Sequence, residues 1–235
     1  MPWAGNPTLY AMISLGIVNH IVLTGNRVTV SLEALRLGAS TAVVGVLLAL
    51  YALLPMFCAV AAGRLSDRVG VRRPMLVGSI GLTVGSALPV VMPGFISLFF
   101  SAVIVGVSFM LFQVPAQNAT GELGGVEVRA QNFSLLALGY SISGFFGPLI
   151  AGLTIDHGGF TAAFAVFAVL PLLPVAVLAS GRLALPGPHP ARGHGRAGSA
   201  LALLMHVKLR RVFFVNVMLA MGWDLHTIVI PVYGA

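Results

Sequence analysis

The chain has 235 residues, 58% of them hydrophobic and 8% charged, with one cysteine and a formal net charge of +7. An ordinary soluble domain carries about a quarter charged residues, so a water-soluble fold is excluded and helices apolar on every face imply a lipid surround. Cys58 lies alone in an apolar run, which excludes an intrachain disulfide framework.

The N-terminal MPWAGNPT lacks the basic start of a cleaved leader, so the first apolar stretch reads as a retained signal anchor. A bilayer core of about 30 Å needs about 20 apolar residues per helix. That length predicts seven spans, at 8–32, 40–62, 74–93, 95–117, 130–154, 160–180 and 211–235. The runs are too long for strands and lack their alternation, so the predicted class is an all-α membrane protein.

Polar groups at membrane depth are costly and mark candidate pathways. The first span carries Asn19, His20, Asn26 and Arg27. Arg27 can bind an anionic substrate, pair with an acid such as Glu33, or snorkel to the outer interface. His20 is either a substrate or proton group or a satisfied interior histidine.

The second and third spans are joined by GRLSDRVGVRRP, Gly63 to Pro74, four arginines and one aspartate in twelve residues. It reads as a short wet turn, with Gly63 and Gly70 permitting close approach and helix ending and Asp67 beside Arg68 keeping it charged. Near the end of the fourth span lie Gln113, Gln117 and Asn118.

In the fifth span Gly139, Ser143, Gly147 and Ala151 recur every four residues, as do Gly144, Pro148 and Gly152, and Tyr140 and Ser141 add polar groups. Such a face admits another backbone at close range, and both packing within one bundle and a gating contact with a second bundle are open. Pro148 removes a backbone donor and can kink the helix. Residues 152–159, GLTIDHGG, echo residues 63–70, with Gly, Asp four later, a basic or imidazole residue next and Gly two beyond. The two copies fall on opposite membrane faces, as in inverted three-helix repeats.

A Gly-, Pro-, Arg- and His-rich stretch after the sixth span reads as a linker. Its His189, His194 and His206 share no helical face, so a solvated basic loop is expected there and no metal site. The seventh span holds Asn216, Asp224 and His226. Asp224 can take a proton from one side and release it to the other, or hydrogen-bond to another helix. With the N-terminus cytoplasmic, every Lys and Arg except Arg27 and Arg36 faces the cytoplasm. The basic balance is then topology, and no nucleic-acid partner is expected because no stacking aromatics interleave the charge.

Gly63, Leu65, Asp67, Arg68, Gly70, Arg72 and Arg73 resemble the signature between helices two and three of the major facilitator superfamily, although Val71 stands where an arginine commonly follows the second glycine. GPLIAG, Gly147 to Gly152, is similar to the Gly-Pro motif of that superfamily's proton-coupled drug antiporters, with Ser134, Ser143 and Ala151 replacing expected glycines. Glu127 and Arg129 resemble its acidic-x-Arg signature before helix five.

The resemblance implies a transporter of two six-helix halves. Residues 1–180 would form the N-terminal six-helix bundle as a 3+3 inverted repeat, residues 181–210 a cytoplasmic basic linker, and residues 211–235 the first helix of an incomplete C-terminal domain, a chain truncated relative to twelve helices. Asp67 would latch the outward-facing state against a helix N-terminus of the other half, with Gly63, Arg68, Gly70, Arg72 and Arg73 completing the motif. Gly139, Ser143, Gly147, Pro148 and Gly152 would pack or gate helix five.

The implied function is secondary active transport of a small solute by alternating access in the inner membrane, as proton-coupled export. Import of an organic anion and a half-transporter inactive on its own are the alternatives. Substrate, protons, lipid and the missing C-terminal half or a second half-transporter are the expected partners, and no cofactor is expected. Neither HExxH, GxSxG nor a paired-carboxylate helix occurs, so no enzyme is expected.

Overall fold

A computed structural model of the chain describes residues 6–188 and 207–233, and the side chains of these except at 207–208 and 223–233. The chain divides into two compact units, Met1–Pro190 and Ala191–Ala235. The first contains α1 (Pro7–Arg36), α2 (Thr41–Val69), α3 (Arg72–Val91), α4 (Phe95–Glu122), α5 (Arg129–Val169) and α6 (Leu172–Ala179). The second contains α7 (Val207–Tyr233). No strand occurs among the described residues.

Local chemistry sets the helix ends. The Asn6 side chain accepts from the Thr8 and Leu9 amides at 3.1 and 3.4 Å, and Pro7 opens α1 where no backbone donor is needed. At the end of α4, Asn132 Nδ2 donates to the carbonyls of Thr120 at 3.1 Å and Leu123 at 2.6 Å, filling acceptors that the helix leaves open.

Five helical stretches among the described residues are long and apolar enough to cross a membrane, and the last, Arg129–Ala179, has 51 residues. Straight, it would extend about 75 Å, far more than one crossing needs. It is divided at Gly159, whose φ of 76° and ψ of 179° are not helical, so two expected spans share it. The second of these is itself interrupted at Leu170–Pro171, because Pro171 offers no amide to the turn before it.

The predicted basic turn is mostly helix. Residues 63–69 form the last turns of α2, and only Gly70 and Val71 separate it from α3. Gly63 therefore ends nothing, and a Cβ built on it would lie 3.9 Å from Val114 of α4, whereas Gly70, at φ 80° and ψ 169°, is the true stop. Charge marks where the helix leaves the apolar region and does not by itself end it. Gly159 adopts nearly the conformation of Gly70 at the matching position of the echo, so the two copies agree in backbone as well as in sequence.

Turns alternate between two ends. Leu9, Val71, Leu123, Leu178 and Leu183 cluster at one end, together with the α2–α3 and α4–α5 turns. At the other end Arg36, Gly94 and Phe160 share one cavity. Six helical crossings up and down thus form the first unit.

Tight contacts between them occur where a side chain is missing. A Cβ built on Gly106 of α4 would lie 2.7 Å from the Tyr51 carbonyl oxygen and 2.9 Å from its Cα on α2. One built on Gly78 of α3 would lie 2.5 Å from the Ser108 oxygen and 2.7 Å from the Phe112 nitrogen on α4. Lipid tails are as apolar as the side chains, so association relies on such close van der Waals contact.

Gly106→Val is therefore expected to lower the unfolding free energy by about 1–3 kcal/mol, read as a fall in melting temperature of the purified protein in detergent. Gly45→Val, where nothing lies within 4 Å of a built Cβ, is expected to cause no such fall.

Candidate functional site

The polar residues of α1 divide between two of its faces. Asn19 and Asn26, two turns apart and fully buried, point at α3, where Ser79 and Ser86 have the same seven-residue spacing. Asn19 Nδ2 donates to Ser79 Oγ at 2.9 Å and Asn26 Nδ2 to Ser86 Oγ at 3.3 Å. From α2, the Tyr51 hydroxyl donates to Asn26 Oδ1 at 2.5 Å. The Arg27 guanidinium lies 6.0 Å from the Tyr51 ring centre, so this cation rests against an aromatic face.

His20 faces the other way, toward α4 and α5. Its Nδ1 lies 2.6 Å from Ser143 Oγ, and its ring stacks on Tyr140 at 4.6 Å between centres, with Phe109 at 5.5 Å. Ser143 donates to the Tyr140 carbonyl at 2.9 Å. The one Ser143 hydroxyl is thus within reach of both the His20 ring and the Tyr140 carbonyl, and Nε2 makes no hydrogen bond among the described residues. Gln113, half-buried one turn beyond Phe109 on α4, extends the polar edge. The Tyr140 hydroxyl and Asn19 Oδ1 are buried without a hydrogen-bond partner. The seam therefore keeps unused polar capacity inside an apolar bundle, where unpaired groups are expensive.

Glu33 is bound at both oxygens by Arg36, at 2.6 and 2.7 Å. This pair lines a cavity of about 300 Å³ with Pro93, Gly94, Gly159 and Phe160, and the Arg36 guanidinium lies 5.3 Å from the Phe160 ring centre. None of Asn19, His20, Arg27, Gln113 or Tyr140 lines that cavity.

On α5 the two small-residue rows separate. Gly139, Ser143, Gly147 and Ala151 are buried, and a Cβ built on Gly147 would lie 2.9 Å from both the Gly25 nitrogen and the Ile21 oxygen of α1. Gly144, Pro148 and Gly152 are half-buried, and nothing lies within 4 Å of a Cβ built on Gly144 or Gly152.

In the α2–α3 motif Asp67, Arg68 and Arg73 are exposed, without a hydrogen bond or ion pair among the described residues, whereas Gly70 is buried. Arg72 turns inward and donates to the Gly181 carbonyl at 2.9 Å and to that of Leu183. Asp224 and His226 lie on the backbone of α7, but their side chains fall outside the described residues, as do His189, His194 and His206. Asn216 is exposed and donates to the Val212 carbonyl at 3.0 Å. Sequence reasoning missed Ser79, Ser86 and Tyr51, although the matched seven-residue spacing of 19/26 and 79/86 was a visible signal for the first two.

The family profile described as Major Facilitator Superfamily matches residues 9–235. The chain belongs to the major facilitator superfamily, a family of transporters and not of enzymes. Tetracycline resistance protein, class C, of Escherichia coli is 31% identical over 186 residues, 73% of this chain and 44% of that protein. Multidrug efflux pump LfrA of Mycolicibacterium smegmatis is 31% identical over 129 residues, 54% of this chain and 25% of that protein.

Among solved structures, the POT family transporter PepTSo aligns with a TM-score of 0.70 at 18% identity, over 81% of this chain and 41% of that one. A peptide transporter POT in complex with sulfate aligns at 0.66 and 17% identity, over 99% and 48%. These likenesses establish the fold of a multi-pass membrane protein. The chain spans less than half the length of each of the two sequence relatives.

The Asn26–Tyr51 bond generates a test of the seam. A double-mutant cycle of Asn26→Ala and Tyr51→Phe, read by unfolding in mixed micelles, is expected to give a coupling energy of about 1 kcal/mol. Additive losses would show that the two groups do not interact.

Proposed function

We propose that the protein is a secondary active transporter that moves a small organic solute by alternating access and exports it at the expense of the proton gradient. The observation that carries this reading is the polar edge of α1, α4 and α5, where the His20–Tyr140 stack and Gln113 combine aromatic surface with polar groups and the buried Tyr140 hydroxyl has no hydrogen-bond partner. Such a surface suits flat, largely apolar compounds with a few polar substituents. The relatives named for tetracycline resistance and multidrug efflux support export as the direction.

Orientation follows from charge. Arg64, Arg68, Arg72, Arg73, Arg129 and Arg182 belong to the end that carries the α2–α3 and α4–α5 turns, so the positive-inside rule puts that end, and the N-terminus, in the cytoplasm of an inner membrane. Asp224 on α7 is the proposed proton carrier, with His20 a second group able to accept a proton. Asp67 and Arg68 are proposed to latch against another half of the transporter, which suits their exposure.

A second reading is a chain active only when paired with a complementing half. In cells expressing the complete gene product, tetracycline accumulation is expected to fall and to recover when a protonophore collapses the gradient. Asp224→Asn is expected to abolish the fall. Unchanged, gradient-dependent efflux by that variant would remove Asp224 from the coupling step. Efflux that appears only on co-expression of a complementing half would establish the second reading.

A further inference from the structure

The stretch just after α6 doubles back over the basic motif. Arg72, at the start of α3, donates to the carbonyls of Gly181 and Leu183, and the Val71 amide donates to the Pro186 carbonyl at 3.4 Å. Leu183 and Leu185 pack against the cluster that includes Val71 and Met75. Pro188 then crosses Gly70 so closely that a built Cβ there would lie 3.2 Å from the Pro188 nitrogen and 3.3 Å from its Cδ.

We infer that residues 181–188 are a docked strap, that Arg72 is the clasp that holds it, and that the strap runs from the end of α6 across the α2–α3 turn. The motif then has two tasks on two surfaces. Asp67 and Arg68 face outward, while Arg72 faces inward and Gly70 keeps the crossing open. A guanidinium suits the clasp because the two N–H groups of its Nη2 reach both carbonyls, just past a helix C-terminus where positive charge is favoured. Gly70 suits the crossing because its φ of 80° strains any other residue and the space above it is taken.

Hydrogen exchange of the whole chain in lipid nanodiscs tests this, since the Val71 amide is protected by the strap's Pro186 carbonyl. Arg72→Gln is expected to speed exchange at Val71 by about ten-fold or more while the amide of Leu82, deep in α3, is unchanged. It should also open the Arg182–Leu183 bond to trypsin. Arg72→Lys, which keeps a cationic donor, is expected to retain most of the protection, and Asp67→Asn all of it. Exchange at Val71 within about two-fold of the wild type in Arg72→Gln would overturn the inference. So would an equal acceleration at Leu82, which would mean that the bundle itself had loosened.

Discussion

The first unit depends on the backbone of α1 lying against the backbone of α5 at Gly25 and Gly147. A Cβ built on Gly25 would overlap the Phe167 ring and lie 2.9 Å from the Gly147 carbonyl oxygen, and one built on Gly147 would overlap Thr24. With no side chain between them, the two helices gain dispersion contact that lipid cannot match. The functional consequence lies one turn away, where the crossing brings His20 within hydrogen-bonding distance of Ser143 and onto the Tyr140 ring. The Thr24 hydroxyl lies 3.3 Å from the Ser143 carbonyl of α5, but its single proton has nearer acceptors on its own helix, the carbonyls of His20 at 3.0 Å and Ile21 at 3.2 Å, so close packing sets this register.

The second three-helix repeat uses the same device, since Gly106 of α4 lets α2 approach as Gly25 of α1 lets α5 approach. The echo between residues 63–70 and 152–159 ends in glycines of nearly equal conformation at opposite ends of the bundle. The two ends then differ in what they hold. At one end Arg72 fastens the strap, and at the other Arg36 lies against Phe160 beside the Glu33 pair. One inverted plan therefore presents a basic surface at one end and a nearly neutral cavity at the other.

Hydropathy made the helical class and the run of spans legible in the sequence, because burying a backbone in lipid leaves a helix few alternatives. It could not show that residues 63–69 continue α2, since a helix may extend into water and the charges there resemble a loop. Nor could the four-residue spacing on α5 say which row meets α1, because Gly139 to Ala151 and Gly144 to Gly152 carry the same signal. Thr24 and Gly25 decide it, and they lie more than a hundred residues away in sequence. Glu33, one of the groups open to Arg27, is also held by Arg36, three residues off on the same helix. The His20 environment also depends on contacts with α4 and α5 that no local pattern reveals.

The dependence on this crossing is tested most directly by comparing Gly147→Leu with Gly144→Leu, three residues apart on one helix, in equilibrium unfolding of the purified chain in mixed micelles. A leucine at 147 has no room against α1 and should cost about 3 kcal/mol or more, a large share of the roughly 5–15 kcal/mol that holds a domain folded. At 144, where nothing lies within 4 Å of a built Cβ, leucine should leave the transition unchanged. Equal effects of the two leucines would contradict the account.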